Sequence, residues 1–90
     1  MMTAQLVEKT TGALADKYRL AIVLELGKRE SMAFADVQEL TGLSQPCTSH
    51  HLKVLNESGL VLTQKTGRCV QVRLNREALR GLSAFLGELG

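Results

Sequence analysis

Apolar positions in this chain recur with a helical period through four successive stretches, switch to alternation in a fifth region, and return to a helical period at the end. Residues 3–13 place Leu6, Val7 and Thr10 on one side, with Gly12 loosening the end, and predict a short amphipathic helix. Residues 16–28 open on Asp16, a side chain able to cap the first turn. Leu20, Ile22, Val23, Leu24 and Leu26 then make the segment apolar on most sides, as a central helix requires. Gly27, Lys28 and Arg29 form a fitting end, with cations beside the negative pole of the helix dipole. A third helix over residues 33–40 stops at Thr41 and Gly42, where glycine can adopt the left-handed conformation of a sharp turn. Leu43 follows as an apolar anchor, and Ser44 caps a fourth helix over residues 44–57. Pro46 is harmless there, because amides of the first turn have no intrahelical partner to lose. Thr48, Leu52 and Leu55 take the inner face of this helix, leaving Gln45, Pro46, Ser49, His50 and Lys53 on the outer one.

Gly59 ends that helix, and residues 60–65 and 69–74 predict two short strands around Thr66, Gly67 and Arg68. Val70, Val72 and Leu74 alternate with Cys69, Gln71 and Arg73, so the apolar set faces inward and Cys69 outward. Asn75 is placed to cap a last helix that carries Leu79, Leu82, Phe85, Leu86 and Leu89 along one stripe. Helix, tight turn, helix and a ribbon with a basic tip is the layout of a winged helix-turn-helix. The expected fold is mainly α with a small β-hairpin, in the order ααααββα. One domain over residues 1–90 is expected, since ninety residues allow only one core, and a modest one. So short a chain has little core to spare for the stripe on its last helix, and a second copy is the expected cover.

Composition adds a direction to this outline. The chain is 44% hydrophobic with one proline and no tryptophan, a globular balance. The formal net charge of +2 is too small to argue for nucleic acid alone. Residues 41–80, however, hold six bases (Lys53, Lys65, Arg68, Arg73, Arg76, Arg80) against two acids (Glu57, Glu77), whereas residues 1–40 hold five bases and six acids. The cationic excess lies on the half expected to meet DNA. No apolar run approaches the roughly 20 residues of a membrane span, and MMTAQLVEKTTG has neither the basic nor the apolar region of a signal peptide. No membrane association and a cytoplasmic location are the expectations. Cys47 and Cys69 make no disulfide framework and lack the short spacing of a zinc knuckle, so free thiols are expected.

LADKYRLAIVLEL, LSQPCTSHHLKVLNESGLV and TGRCVQVRLN together resemble, over roughly residues 14–80, the ArsR/SmtB family of bacterial winged-helix repressors. The first segment agrees with the family pattern at Leu14, Ala15, Asp16, Arg19, Leu20 and Ile22, while Lys17 replaces a proline. The recognition-helix pattern agrees at Leu43, Ser44, Gln45, Ser49, His51, Leu52 and Leu55, while Pro46 and Thr48 depart. The resemblance implies a homodimer built on the first and last helices that binds an inverted repeat in double-stranded DNA and releases it when an inducer arrives. It places Gln45, Ser49 and His50 toward the bases, with Pro46 replacing a serine that often touches the backbone and Ser44 opening the helix. The wing over residues 60–74 would bring Lys65 and Arg68 to phosphates or the minor groove, adding affinity and salt dependence. Leu6, Val7, Leu82, Phe85, Leu86 and Leu89 would form the dimer face. The family's Cys-Val-Cys metal site falls on Ala33, Phe34 and Ala35, which offer no ligand, and the last helix has no His and only Glu77 and Glu88 as carboxylates. Zinc, nickel and cobalt sites, and any other cofactor, are therefore not expected.

Other readings of single residues stand beside this one. Cys47, in the first turn of the recognition helix with His51 one turn along, is a candidate thiol sensor for oxidants or arsenite; the plainer reading is a small residue at a tolerant position. Cys69 on the wing divides the same way. His50 and His51 point about 100° apart on a helix and cannot chelate a metal well. His50 is accordingly expected at DNA and His51 in packing. Lys53, Lys65 and Arg68 could be ordinary solvated charges. A winged helix can also be a protein-interaction module without DNA contact. An enzyme is not expected, because no Ser/His/Asp set, paired carboxylates in a cleft or phosphate-binding loop can be assembled.

Overall fold

The computed structural model describes residues 2–90, in which local signals in the sequence account for most element boundaries. Helix α1 (Ala4–Leu14) begins at Thr3, whose hydroxyl accepts the Leu6 amide at 3.1 Å. Asp16 caps α2 (Lys17–Leu26), its carboxylate accepting the amides of Tyr18 at 2.9 Å and Arg19 at 3.1 Å. Helix α3 (Phe34–Thr41) ends at Gly42, which has φ +69°. Ser44 then caps α4 (Gln45–Glu57), with Pro46 in the first turn. Strands β2 (Val61–Thr66) and β3 (Cys69–Leu74) are joined by Gly67 and Arg68. Gly67 has φ +62° and Arg68 a negative φ, the order of signs that a type II′ hairpin turn needs. Asn75 caps α5 (Arg76–Gly87) by accepting the Ala78 amide at 3.2 Å, while its side-chain amide donates to the Gly59 carbonyl at 2.9 Å. One asparagine thus fixes the start of α5 to the turn that precedes the wing.

Two features correct the outline drawn from periodicity. The sheet has three strands, because Met32–Ala33 form a short strand, β1, between α2 and α3 that pairs antiparallel with β3 at Met32↔Val72 and Ala33↔Gln71. The order of elements is therefore ααβααββα. Two residues are too few to show alternation, and only their pairing partner forty positions away defines them as a strand. The end of α2 also differs. Gly27 keeps a right-handed helical φ of −64°, and Arg29 turns to Glu25 and Asp36 at 3.8 and 3.7 Å. Arg76, from the start of α5, donates to the carbonyl of Leu26, which also accepts the Arg29 amide, and to the carbonyl of Arg29, at 3.4 Å each.

Strand β3 lies between the other two, and Val72, fully buried, pairs with both Met32 and Thr63. Ile22, Leu26, Val37, Leu55, Leu60 and Val61 complete the fully buried apolar centre, which joins α2, α3, α4 and the sheet. Buried Thr10 and Thr48 turn their hydroxyls to the carbonyls of Val7 and Ser44, at 3.0 and 2.9 Å, so neither leaves an unpaired polar atom in this core.

Gly42 is a direct test of the helix-turn-helix joint. A Cβ there would meet nothing within 4 Å, so the obstacle to another residue is its left-handed φ alone. Gly42→Ala is expected to cost about 1–2 kcal/mol in urea denaturation and Gly42→Asn less, because asparagine tolerates that conformation.

Candidate nucleic-acid interface

The turn between α3 and α4 sets the angle at which α4 leaves the body. Its backbone is tied at both ends: Leu43 N donates to Thr41 Oγ1 at 3.3 Å, and Gln38 Nε2 donates to the Leu43 carbonyl at 3.3 Å. Helix α4 buries Thr48, Leu52 and Leu55, while Ser44, Gln45, Pro46, Ser49, His50 and Lys53 are all exposed. Six of the residues expected to meet DNA are therefore brought onto the outer side of one element. Cys47 is exposed among them, its amide donating to Ser44 Oγ at 3.3 Å.

His51 has the opposite role to its neighbour. Its side chain is 13% exposed and lies 5.7 Å, centroid to centroid, from the Tyr18 ring. Arg19 Nη1 approaches His51 Nδ1 at 3.1 Å, and Arg19 Nε donates to the Ala13 carbonyl at 2.7 Å. Arginine can only donate, so Nδ1 is the accepting nitrogen and the imidazole proton is assigned to Nε2. Asp16 Oδ1 lies 3.9 Å from the same nitrogen. The end of α1, the start of α2 and the middle of α4 meet in this cluster. The backbone amides of Arg19 and Tyr18, helped by the charge of Arg19, hold the Asp16 carboxyl below its ordinary value of 3.8 against the effect of burial. The sequence marked Asp16 as a cap and His51 as packed, but not Arg19 as their link, whose partners lie six and thirty-two positions away.

The wing carries the remaining cations. Lys65 and Arg68 are exposed, Lys65 paired across the hairpin with Val70 and Arg68 in the turn at its tip. Cys69 is an exposed free thiol facing away from Val70, Val72 and Leu74, as alternation implied. A groove of about 380 Å³ separates α4 from the wing and brings Lys53 and Lys65 to its rim together with Ser49. It also includes Asn56 and Thr63, which the sequence reading passed over. Asn56 lies two turns after Ser49 on the same stripe, and Thr63 two residues before Lys65 on the same strand face, so both periods contained the signal.

The residues expected at a dimer face divide in two. Leu82 is already covered within its own chain, and Val7 and Phe85 are half-buried, while Leu6, Leu86 and Leu89 are exposed at 36, 44 and 79%. Ala33, Phe34 and Ala35 span the end of β1 and the start of α3 and present no ligating atom.

These elements define a winged helix-turn-helix with a cationic reading face. The chain belongs to the arsR family of bacterial regulatory proteins, whose pattern matches residues 16–63. It is 44% identical over 62 residues to the arsenical resistance operon repressor of Escherichia coli (strain K12), a match covering 69% of this chain and 53% of that protein. It is 35% identical over 75 residues to the arsenical resistance operon repressor of Bacillus subtilis (strain 168), covering 83% of this chain and 71% of the relative. The chain thus spans about half the length of the first relative and about seven-tenths of the second. Among solved structures, an ArsR-like transcriptional regulator from Rhodococcus sp. RHA1 superposes with a TM-score of 0.83 at 26% identity, over 96% of this chain and 80% of that one. The family is one of regulators, not enzymes. No helix of the described residues is long and apolar enough to cross a membrane.

The Asp16 cluster predicts a pH signature. A folded-state value below the unfolded one means stabilisation that is complete above about pH 3.8 and disappears as pH falls through the lower folded value. Asp16→Ala is expected to melt below wild type at neutral pH, with the gap narrowing as pH falls through that range; a gap that stays constant would contradict it.

Proposed function

We propose that the chain is a homodimeric, DNA-binding transcriptional repressor that acts in the cytoplasm. The observation that carries this reading is the continuous exposed face of α4, from Ser44 to Lys53, flanked by a wing bearing Lys65 and Arg68. The E. coli and B. subtilis relatives, both named as operon repressors, support the direction of control. In this reading Gln45, Ser49 and His50 read base edges in the major groove, Ser44 and Pro46 lie at the helix entry, and Lys53, Lys65 and Arg68 neutralise phosphates. The exposed Leu6, Leu86 and Leu89, with Val7 and Phe85 beside them and Leu82 beneath, form the surface on which a second copy closes. A two-fold dimer requires an inverted repeat with half-sites one helical turn apart, about 34 Å.

A second reading concerns the signal. Both relatives take their names from arsenical resistance. In this chain the family's paired-thiolate position is occupied by Ala33, Phe34 and Ala35, so a thiol-based response to arsenite or oxidant would have to use exposed Cys47 or Cys69. Cys47 favours this reading, because any adduct there stands among Gln45, Pro46 and Ser49 on the reading face.

Fluorescence anisotropy with a duplex from the protein's own promoter region and a random duplex tests the assignment. His50→Ala and Ser49→Ala are expected to weaken binding to the promoter duplex more than to the random one. Arg68→Ala is expected to weaken both and to reduce the slope of log K against log salt by about 0.9. Equal losses for all three variants on both duplexes would contradict these roles. Loss of wild-type binding on treatment with arsenite or peroxide, retained in Cys47→Ser, would establish the thiol-based response. No binding to either duplex would favour a protein-interaction module.

A further inference from the structure

The groove between α4 and the wing has a composition that the reading face alone does not require. Its floor is apolar, formed by Phe34, Leu52 and Val70, and its walls are Ser49 and Asn56 from α4 and Thr63 from β2, with Lys53 and Lys65 at the rim. The groove exists because β2 outruns the core. Val61, Thr63 and Lys65 share the sheet face of their partners Leu74, Val72 and Val70; Val61 is fully buried, whereas Thr63 and Lys65 are exposed. Among the described residues the ion pairs are Arg29–Glu25, Arg29–Asp36 and His51–Asp16, so neither groove lysine is neutralised, and no carboxylate lines the groove. The Asn56 amide and Thr63 hydroxyl are likewise without an intramolecular partner among the described residues.

We propose that this groove is a seat for one DNA strand, in which Asn56 and Thr63 donate hydrogen bonds to a phosphate, the two lysines balance its charge and the adjoining deoxyribose packs on the apolar floor. This rests on the DNA-binding reading above and extends the contact surface to two residues outside the set that reading names. A phosphodiester strand fits because it alternates an anion with an apolar sugar, matching the alternation of unpaired cations, neutral donors and hydrocarbon across the groove. Such a contact carries no base preference. Asn56 and Thr63 therefore add affinity equally on every sequence and, being uncharged, release no counterions.

The test compares Asn56→Ala, Thr63→Val and Thr63→Ser with wild type on the promoter and random duplexes across a salt series, with melting curves confirming the fold. Asn56→Ala and Thr63→Val are each expected to weaken binding to both duplexes by the same factor, about 3–10-fold, as the net loss of one hydrogen bond implies. The salt slope should remain that of wild type, and Thr63→Ser should restore affinity. Wild-type affinity in both variants, with His50→Ala still weakening promoter binding, would overturn the strand seat and leave the DNA-binding reading intact. A loss confined to the promoter duplex would overturn it in favour of base reading. Absence of wild-type binding to either duplex at low salt would overturn both proposals.

Discussion

The guanidinium of Arg19 is the contact on which the placement of the reading helix depends. Nε holds the Ala13 carbonyl at the end of α1, and Nη1 holds His51 in the middle of α4, so one planar group on α2 fixes two other helices. Its fork presents donors in fixed directions, which a lysine ammonium on a flexible stem would not reproduce. Asp16 stabilises the same region twice, as the cap of α2 and as a negative charge beside Arg19 and His51. With His51 turned inward to this cluster, its neighbour His50 is directed to solvent.

The wing solves a related problem by different means. A two-stranded ribbon is marginal in water. Here its base is secured by the three-strand sheet, where Met32 and Thr63 flank Val72, and by Ser31, whose hydroxyl donates to Gln71 Oε1 at 3.2 Å. Asn75 anchors the far end to Gly59 and Leu60. The tip beyond these anchors holds Lys65, Gly67 and Arg68, all exposed, so a cationic hairpin extends from an anchored base.

The family pattern covers residues 16–63, which is α2 through the first half of β2, and omits α1, most of the wing and α5. The shared portion therefore holds most of the core and the reading helix. The apolar surface of α1 and α5 and the cationic tip lie outside it, with chemistry that belongs to this chain. At Ala33, Phe34 and Ala35 that chemistry separates the shared fold from the thiolate site with which the resemblance associates it, since side chains without a donor atom cannot bind a metal or arsenic whatever their geometry.

Local chemistry wrote much of the fold into the sequence. Capping by Asp16, Ser44 and Asn75, left-handed glycine at Gly42, the Gly67–Arg68 turn and the alternation through Val70, Val72 and Leu74 each act within a few residues, and each was legible for that reason. The exposed set on α4 followed from the same helical period. Tertiary structure decided what depends on distant partners: the strand at Met32–Ala33, the reach of Arg76 to the end of α2, the Arg19–His51 link, the covering of Leu82, and the groove that joins Asn56 to Thr63. Periodicity records which face of an element is apolar, but not which other element that face will meet, because the pairing energy belongs to residues tens of positions apart and leaves no local mark.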